Sequence, residues 1–205
     1  MAKAKFDRSD VVAAATELFW RKGYNCASMQ DVFRATGLQP GSLYNAFGNK
    51  EGLYEESVRY YGTQAVKKTE DSLAGVGNKL EAIATMVLAE AKASLEPEFK
   101  SCMLVKSLLE LNSMGNERLA QVVNDQVSAI TAVYESVLAE AFDAQAAREK
   151  ATQLMMARMG LYVYGLMQTS QEELIANLRG NLPWLPWDSI DSDSATLATS
   201  SAASY

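Results

Sequence analysis

The chain contains no histidine. That single absence removes the Ser–His and Cys–His nucleophile pairs together with the commonest protein metal ligand. Cysteine is nearly as scarce: Cys26 and Cys102 lie in separate segments and are too few for a disulfide framework, so reduced thiols are expected. No uninterrupted apolar run approaches the roughly 20 residues of a membrane span. The opening Met-Ala-Lys-Ala-Lys-Phe-Asp also lacks the apolar core of a signal peptide, so a cytoplasmic protein without a membrane partner is expected. There is no phosphate-cradling glycine loop and no defensible pair of catalytic carboxylates. An enzyme, a cofactor and a metal site are therefore not expected.

Four prolines and twelve glycines interrupt 205 residues, and the rest is rich in Ala-containing periodic segments. That pattern, with 48% hydrophobic residues, argues for an all-α protein with an ample core. The net charge of −6 alone counts against a nucleic-acid partner, but its distribution reverses the inference. Residues 1–50 carry Lys3, Lys5, Arg8, Arg21, Lys22, Arg34 and Lys50 against Asp7, Asp10, Glu17 and Asp31, a net +3 that leaves −9 on the remainder. A basic amino-terminal part on an acidic body suits a small domain that meets phosphates while the rest avoids them.

The most informative stretch runs from Ser28 to Leu53 and reads as two short helices around a tight turn. Ser28 with Asp31 forms a variant capping box, and Gly37 supplies a left-handed stop. Pro40 suits the first turn of the next helix, since its φ is already helical and its missing donor would go unpaired. Leu43 and Phe47 then face inward, while Gln39, Ser42 and Asn45 face outward. Such a face is what major-groove reading requires. The pattern by itself leaves open a helical hairpin with a merely solvated face.

From Val12 to Leu53 the chain resembles the DNA-binding domain of the TetR family of bacterial repressors. Ala15, Leu18, Phe19, Gly23, Tyr24, Ser28, Asp31, Gly37, Gly41, Leu43, Tyr44, Phe47, Lys50 and Leu53 carry that resemblance without a gap. Phe33 stands where the family usually has a small residue and Ala46 where it often has His or Tyr. These departures suggest altered helix packing and the loss of one common contact. The resemblance implies that Tyr44, Lys50 and Ser28 meet phosphates, that Gln39, Ser42 and Asn45 face base edges, and that Pro40-Gly41 lets the backbone come close. The physical chemistry of each group agrees, since helix N-termini and Lys bind anions and Asn or Gln pairs with adenine. It further implies a homodimer on double-stranded operator DNA, controlled by a small-molecule effector. A module of the same shape that organises chromosomes without an effector is the alternative.

Three domains are expected: a helix-turn-helix DNA-binding domain over 1–49, a larger helical ligand-binding and dimerisation domain over 50–187, and a disordered Ser/Ala/Asp/Thr-rich tail over 188–205. Residues 1–6 form a short basic arm suited to a phosphate backbone. Asn49 caps a fourth helix that reaches about Ala74, roughly 35 Å long at 1.5 Å per residue, which would link sensing to DNA binding. Asn78, the break at Glu96-Pro97-Glu98, Asn116 and Asp143 delimit further helices. The two long ones starting at Asn116 and after Asp143 resemble the family's dimerisation pair, although an internal hairpin has the same pattern. Prolines end regular structure after Gly180, and Trp184 and Trp187 clamp that segment down.

The sensing function is less legible. Tyr60, Tyr61, Met86, Phe99, Met103, Tyr134, Met156 and Tyr162 are either pocket lining or plain core. Ser-Cys-Met-Leu-Val-Lys, around Cys102, resembles the Gly-Cys-Leu-x-Val segment, followed by Lys or Asn, of the branch that includes the N-ethylmaleimide-reductase repressor, where the matching cysteine responds to electrophiles and oxidants. A helix N-terminus and Lys106 one turn on would favour the thiolate. The other reading of Cys102 is a small buried hydrophobe. Cys26 reads as structural.

Overall fold

The computed structural model describes residues 6–167 and 170–190, and among these every regular element is helical. In chain order they are α1 (Arg8–Lys22), α2 (Met29–Thr36), α3 (Pro40–Phe47), α4 (Lys50–Leu73), α5 (Lys79–Ala93), α6 (Met103–Met114), α7 (Glu117–Leu138), α8 (Ala144–Tyr164) and α9 (Gln171–Asn181). Short 3₁₀ turns follow at Gly165–Met167 and Trp187–Ser189. The helix starts expected at Ser28, Asn49, Asn78, Asn116 and Asp143 are present, each side chain accepting from a backbone amide of the turn it opens, and Asp7 does the same ahead of α1. Each side chain satisfies a donor that the helix itself cannot.

Two compact units emerge, divided within α4 and within α7. The first comprises the chain up to Val66 together with Cys102–Ala129, so α6 and the start of α7 pack with α1–α3. Its core joins Val11, Val12, Ala15, Phe19 and Trp20 of α1 to Leu43 and Phe47 of α3 and to Leu53, Tyr54 and Val58 of α4. Phe19 meets Tyr54 edge-on at 5.0 Å and Trp20 meets Tyr61 at 5.2 Å. The Tyr54 hydroxyl donates to Ser107 Oγ at 2.7 Å, which ties α6 to α4. Burial pushes the Tyr54 hydroxyl up to about 12, so it remains a donor at any physiological pH.

The second unit comprises Lys67–Ser101 and the chain from Ile130 on. Ile83, Val87, Leu88, Leu154, Leu161, Leu174 and Leu178 are buried in it. At its centre Arg158, only 7% exposed, donates to both oxygens of Glu90 at 2.8 and 2.5 Å and to the Tyr162 hydroxyl at 3.2 Å. Its guanidinium carbon also sits 5.3 Å from the Tyr134 ring centroid. After α9 the chain is pinned by Leu182, Leu185, Trp187 and Ile190, all buried. Trp187 Nε1 donates to the Leu182 carbonyl at 2.7 Å, and Trp184 Nε1 donates to Gln153 at 3.0 Å. The 3₁₀ turn at Trp187–Ser189 and the buried Ile190 belong to the packed unit. The rest of that tail, 191–205, and most of the expected basic arm, residues 1–5, lie outside the described residues.

Two stability predictions follow from this packing. Lys22, then the hydroxyl and amide of Ser28, hold the Asp31 carboxyl well below the usual carboxylate range. A carboxylate so lowered stabilises fully above its unfolded-state pKa and loses that contribution as pH falls through the folded value. The thermal-midpoint deficit of Asp31→Asn should be complete near pH 7 and close as pH drops below about 4. In the second unit, Glu90→Gln leaves a buried guanidinium without its counter-charge. Urea titration should show a loss of about 3 kcal/mol, whereas Glu90→Leu with Arg158→Met should be close to neutral.

Candidate nucleic-acid interface

The reading unit is built by local chemistry. The Asp31 amide donates to Ser28 Oγ at 3.1 Å while the Ser28 amide donates to Asp31 Oδ2 at 3.0 Å, a reciprocal cap that starts α2. Gly37 closes α2 in the left-handed region at φ 68°. Pro40 opens α3 at its first position, and Gln39, although it is the cap residue, makes no side-chain capping bond. Leu43 is fully buried and Phe47 7% exposed, so one side of α3 is committed to the core.

Its other side is open. Gln39, Pro40, Gly41, Tyr44 and Asn45 are exposed, Tyr44 by 48%, and Ser42 is half-buried. A Cβ added to Gly41 would meet no atom within 4 Å, so nothing in the chain's own fold requires glycine there. Ser28 is exposed, and its hydroxyl donates to Asp31 Oδ2 at 2.7 Å, so it is oriented by the cap. Lys50 is half-buried, with its ammonium 4.6 Å from the Tyr24 ring centroid. Burial pulls Lys50 below its ordinary pKa while Glu110 and Cys26 oppose that shift.

Three supports escaped the sequence reading. The Arg8 guanidinium lies 4.3 Å from the Phe47 ring centroid, donates to the Ala46 carbonyl at 3.0 Å and pairs with Glu56. It thus holds the carboxy-terminal end of α3, although its sequence shows it only as one more positive charge. Gly52 admits that same end, since a Cβ there would lie 2.2 Å from the Phe47 carbonyl oxygen. Glu110 of α6 accepts from the backbone amides of Tyr24 at 2.8 Å and Asn25 at 2.7 Å, in the turn that leads into α2. No local signal could have found it, because the partners are 86 and 85 residues apart.

The sensing candidates fall in both units. Tyr61, Cys102, Met103 and Lys106 belong to the first, and Phe99, Tyr134 and Tyr162 to the second. The Tyr61 hydroxyl points at Cys102 Sγ across 3.8 Å, and Lys106 Nζ donates to the Trp20 carbonyl at 3.4 Å. Cys102 occupies the cap position of α6 without capping it through its side chain. Ser101, standing where the resembled segment has glycine, adopts φ 64°, a conformation glycine enters without steric cost. Tyr134 and Met103 are 1% exposed, Phe99 stacks on Tyr162 at 6.1 Å, and Tyr60 and Met86 are half-buried. Met156 is instead 69% exposed and lines no interior, and Cys26, expected as structural, is an exposed thiol. Among the described residues no cluster of potential metal ligands occurs, and no helix is long and apolar enough to cross a membrane.

Residues 11–57 match the model of the bacterial regulatory proteins of the tetR family. The chain is 38% identical over 68 residues to the HTH-type transcriptional repressor ComR of Escherichia coli, covering 33% of this chain and 32% of that protein. It is 30% identical over 107 residues to the HTH-type transcriptional regulator YezE of Bacillus subtilis, covering 52% and 55%. The matches thus span about a third to a half of those relatives' lengths. In three dimensions it is similar to a cysteine mutant of the TetR family transcriptional regulator CifR complexed with 26-bp operator DNA, at 26% identity and a TM-score of 0.68, over 91% of this chain and all of the other. The capped α2, the left-handed Gly37 turn and the outward polar face of α3 all lie inside the matched region, so residues 11–57 form a helix-turn-helix domain of the kind that the model of the tetR bacterial regulatory proteins describes.

Proposed function

We propose that the protein is a transcriptional repressor that grips a near-palindromic operator as a homodimer and lets go on binding a small molecule or on modification of a thiol. The observation that carries this reading is the exposed polar face of α3 around Gly41, where open space replaces any internal need for glycine. Gln39, Ser42 and Asn45 would meet base edges, and Tyr44, Lys50 and the Ser28 end of α2 would meet phosphates. Support comes from relatives named as repressors and from the similar regulator seen on operator DNA.

The homodimer draws support from α8 and the turn after it, where Met156, Val163, Tyr164, Leu166 and Met167 are all at least 44% exposed. Met156 and Val163, seven residues apart, share one side of α8, and with the exposed residues of the turn after it they make an apolar surface that water disfavours and a second copy would cover. Two reading units held about 34 to 36 Å apart would address successive major grooves. The effector works only through unequal affinity for the DNA-competent and released states. A coupling of ~1 to 3 kcal/mol changes occupancy about 5- to 150-fold. The thiol branch of the signal rests on Cys102 beside the Tyr61 hydroxyl at the start of α6.

Selection of bound sites from random duplex DNA supplies the operator for two tests. Gln39→Ala and Asn45→Ala should each erase about 1 to 3 kcal/mol of discrimination at one base position, while Lys50→Ala should weaken all sequences alike and flatten the salt dependence. Gly41→Ala is the sharpest variant: it should keep or raise the thermal midpoint, by up to about 1 kcal/mol of helix propensity, yet lower DNA affinity. Unchanged binding by that variant would remove the close-approach reading. For the signal, a mild oxidant should release operator from the parent protein and leave Cys102→Ser bound. Equal release from both would assign the response to another group.

A further inference from the structure

Removing a negative charge from a DNA-binding protein ordinarily strengthens its hold on a polyanion. One carboxylate in this chain stands where the opposite should hold. Glu110 lies on α6, outside the matched residues 11–57, yet both of its oxygens are engaged in the turn between α1 and α2. Oε2 accepts from the Tyr24 amide at 2.8 Å and Oε1 from the Asn25 amide at 2.7 Å. These amides emerge just past the end of α1, where Gly23 turns the chain at φ 77°. A Cβ at Gly23 would lie 3.0 Å from Glu110 Oε2, so the glycine serves both the backbone angle and the room the carboxylate needs.

The turn is also the aromatic junction of the unit. The Tyr24 ring lies 4.7 Å from that of Tyr54 and 6.5 Å from that of Phe19, and the Lys50 ammonium sits 4.6 Å from its centroid. On α6, Ser107 precedes Glu110 by three residues and accepts from the Tyr54 hydroxyl, so one side of α6 grips both the turn and α4. Lys106, on the same helix, donates to the Trp20 carbonyl near the end of α1. Ser28 and the start of α2 come three residues after Asn25, the second of the Glu110-bound amides.

We propose that Glu110 is a positioning residue for DNA binding: its carboxylate fixes the Gly23–Asn25 turn, and through it the placement of Tyr24, Lys50 and the Ser28 end of α2 against phosphates. An acidic side chain far away in sequence thereby raises affinity for a polyanion. The proposal rests on the operator-binding reading given above.

Glu110→Gln keeps the side chain's size and one acceptor oxygen but turns an amide N–H₂ toward the second backbone N–H. Anisotropy titration of the full-length protein with the selected operator should show binding roughly 5- to 30-fold weaker for this variant. The slope of affinity against salt should be that of the parent, because Glu110 itself neutralises no phosphate. Hydrogen exchange should show the Tyr24 and Asn25 amides protected in the parent and faster in Glu110→Gln, at matched thermal midpoints. Glu110→Ala, if it folds, should weaken binding further.

Equal or tighter operator binding by Glu110→Gln overturns the proposal, since that is what the charge change alone produces. Unprotected Tyr24 and Asn25 amides in the parent overturn it without any DNA present. A parent that binds no duplex while protecting those amides sinks the operator-binding reading, and the positioning role with it.

Discussion

An eight-residue helix in water does not hold itself together, because nucleation costs more than so few backbone bonds return. α3 spans eight residues, and α2 is no longer. Their geometry is therefore supplied by what surrounds them, and the unit's other features follow from that constraint. Leu43 and Phe47 are withdrawn from water on one side, at roughly 1.5 to 3 kcal/mol for each fully buried side chain. Arg8 covers Phe47 and takes the Ala46 carbonyl, one of the acceptors a helix leaves unpaired at its end. Gly52 lets α4 begin almost in contact with the Phe47 carbonyl, a fit that one extra methyl group would prevent. The polar face of α3 stays available because the work of holding the helix is done from its other side and its end.

The same division explains the charges. Arg8, Lys22 and Lys50 belong to the basic surplus of the first fifty residues, but none is simply a solvated cation. Arg8 faces Glu56, Lys22 pairs with Asp31 at 2.8 Å, and Lys50 sits over Tyr24. Side chains oriented in this way lose less conformational freedom when they meet a phosphate than freely rotating ones do. Net charge alone would have missed that difference. The buried Arg158–Glu90 pair of the second unit has a different character, since removing two charges from water there is repaid only by close, bidentate geometry. Removing one partner alone would leave the other as a charge without its counterpart in a site closed to water.

What could be read in the sequence was what neighbouring residues decide. Ser28 with Asp31, Gly37, Pro40, Asn78 and Asp143 announce helix ends through groups three or four positions away, and they do so here. The inward pair Leu43 and Phe47 was legible for the same reason. Glu110 and Arg8 were not, because their partners lie 86 and 38 residues off and their types suggest only solvated charge. Exposure of Met156 was misread because a methionine at helical spacing looks alike on a core face and on a face meant for another molecule. After Trp187 the composition turns polar, yet Ile190 still finds a buried place that no local pattern announces.

α6 joins these strands of argument, because its two ends have different chemistry. In the residue before its cap, Ser101 holds a left-handed backbone that costs a residue with a Cβ about 1 to 3 kcal/mol, and the Ser101 hydroxyl donates to the Tyr162 carbonyl at 3.2 Å. Glycine there would remove the strain and, with it, the hydrogen bond. Cys102 is next in the chain, so any group added to its sulfur enlarges a residue flanked by a conformation already held against its preference. At the other end Glu110 grips a turn by two charge-assisted hydrogen bonds of ordinary length, with no strain to release.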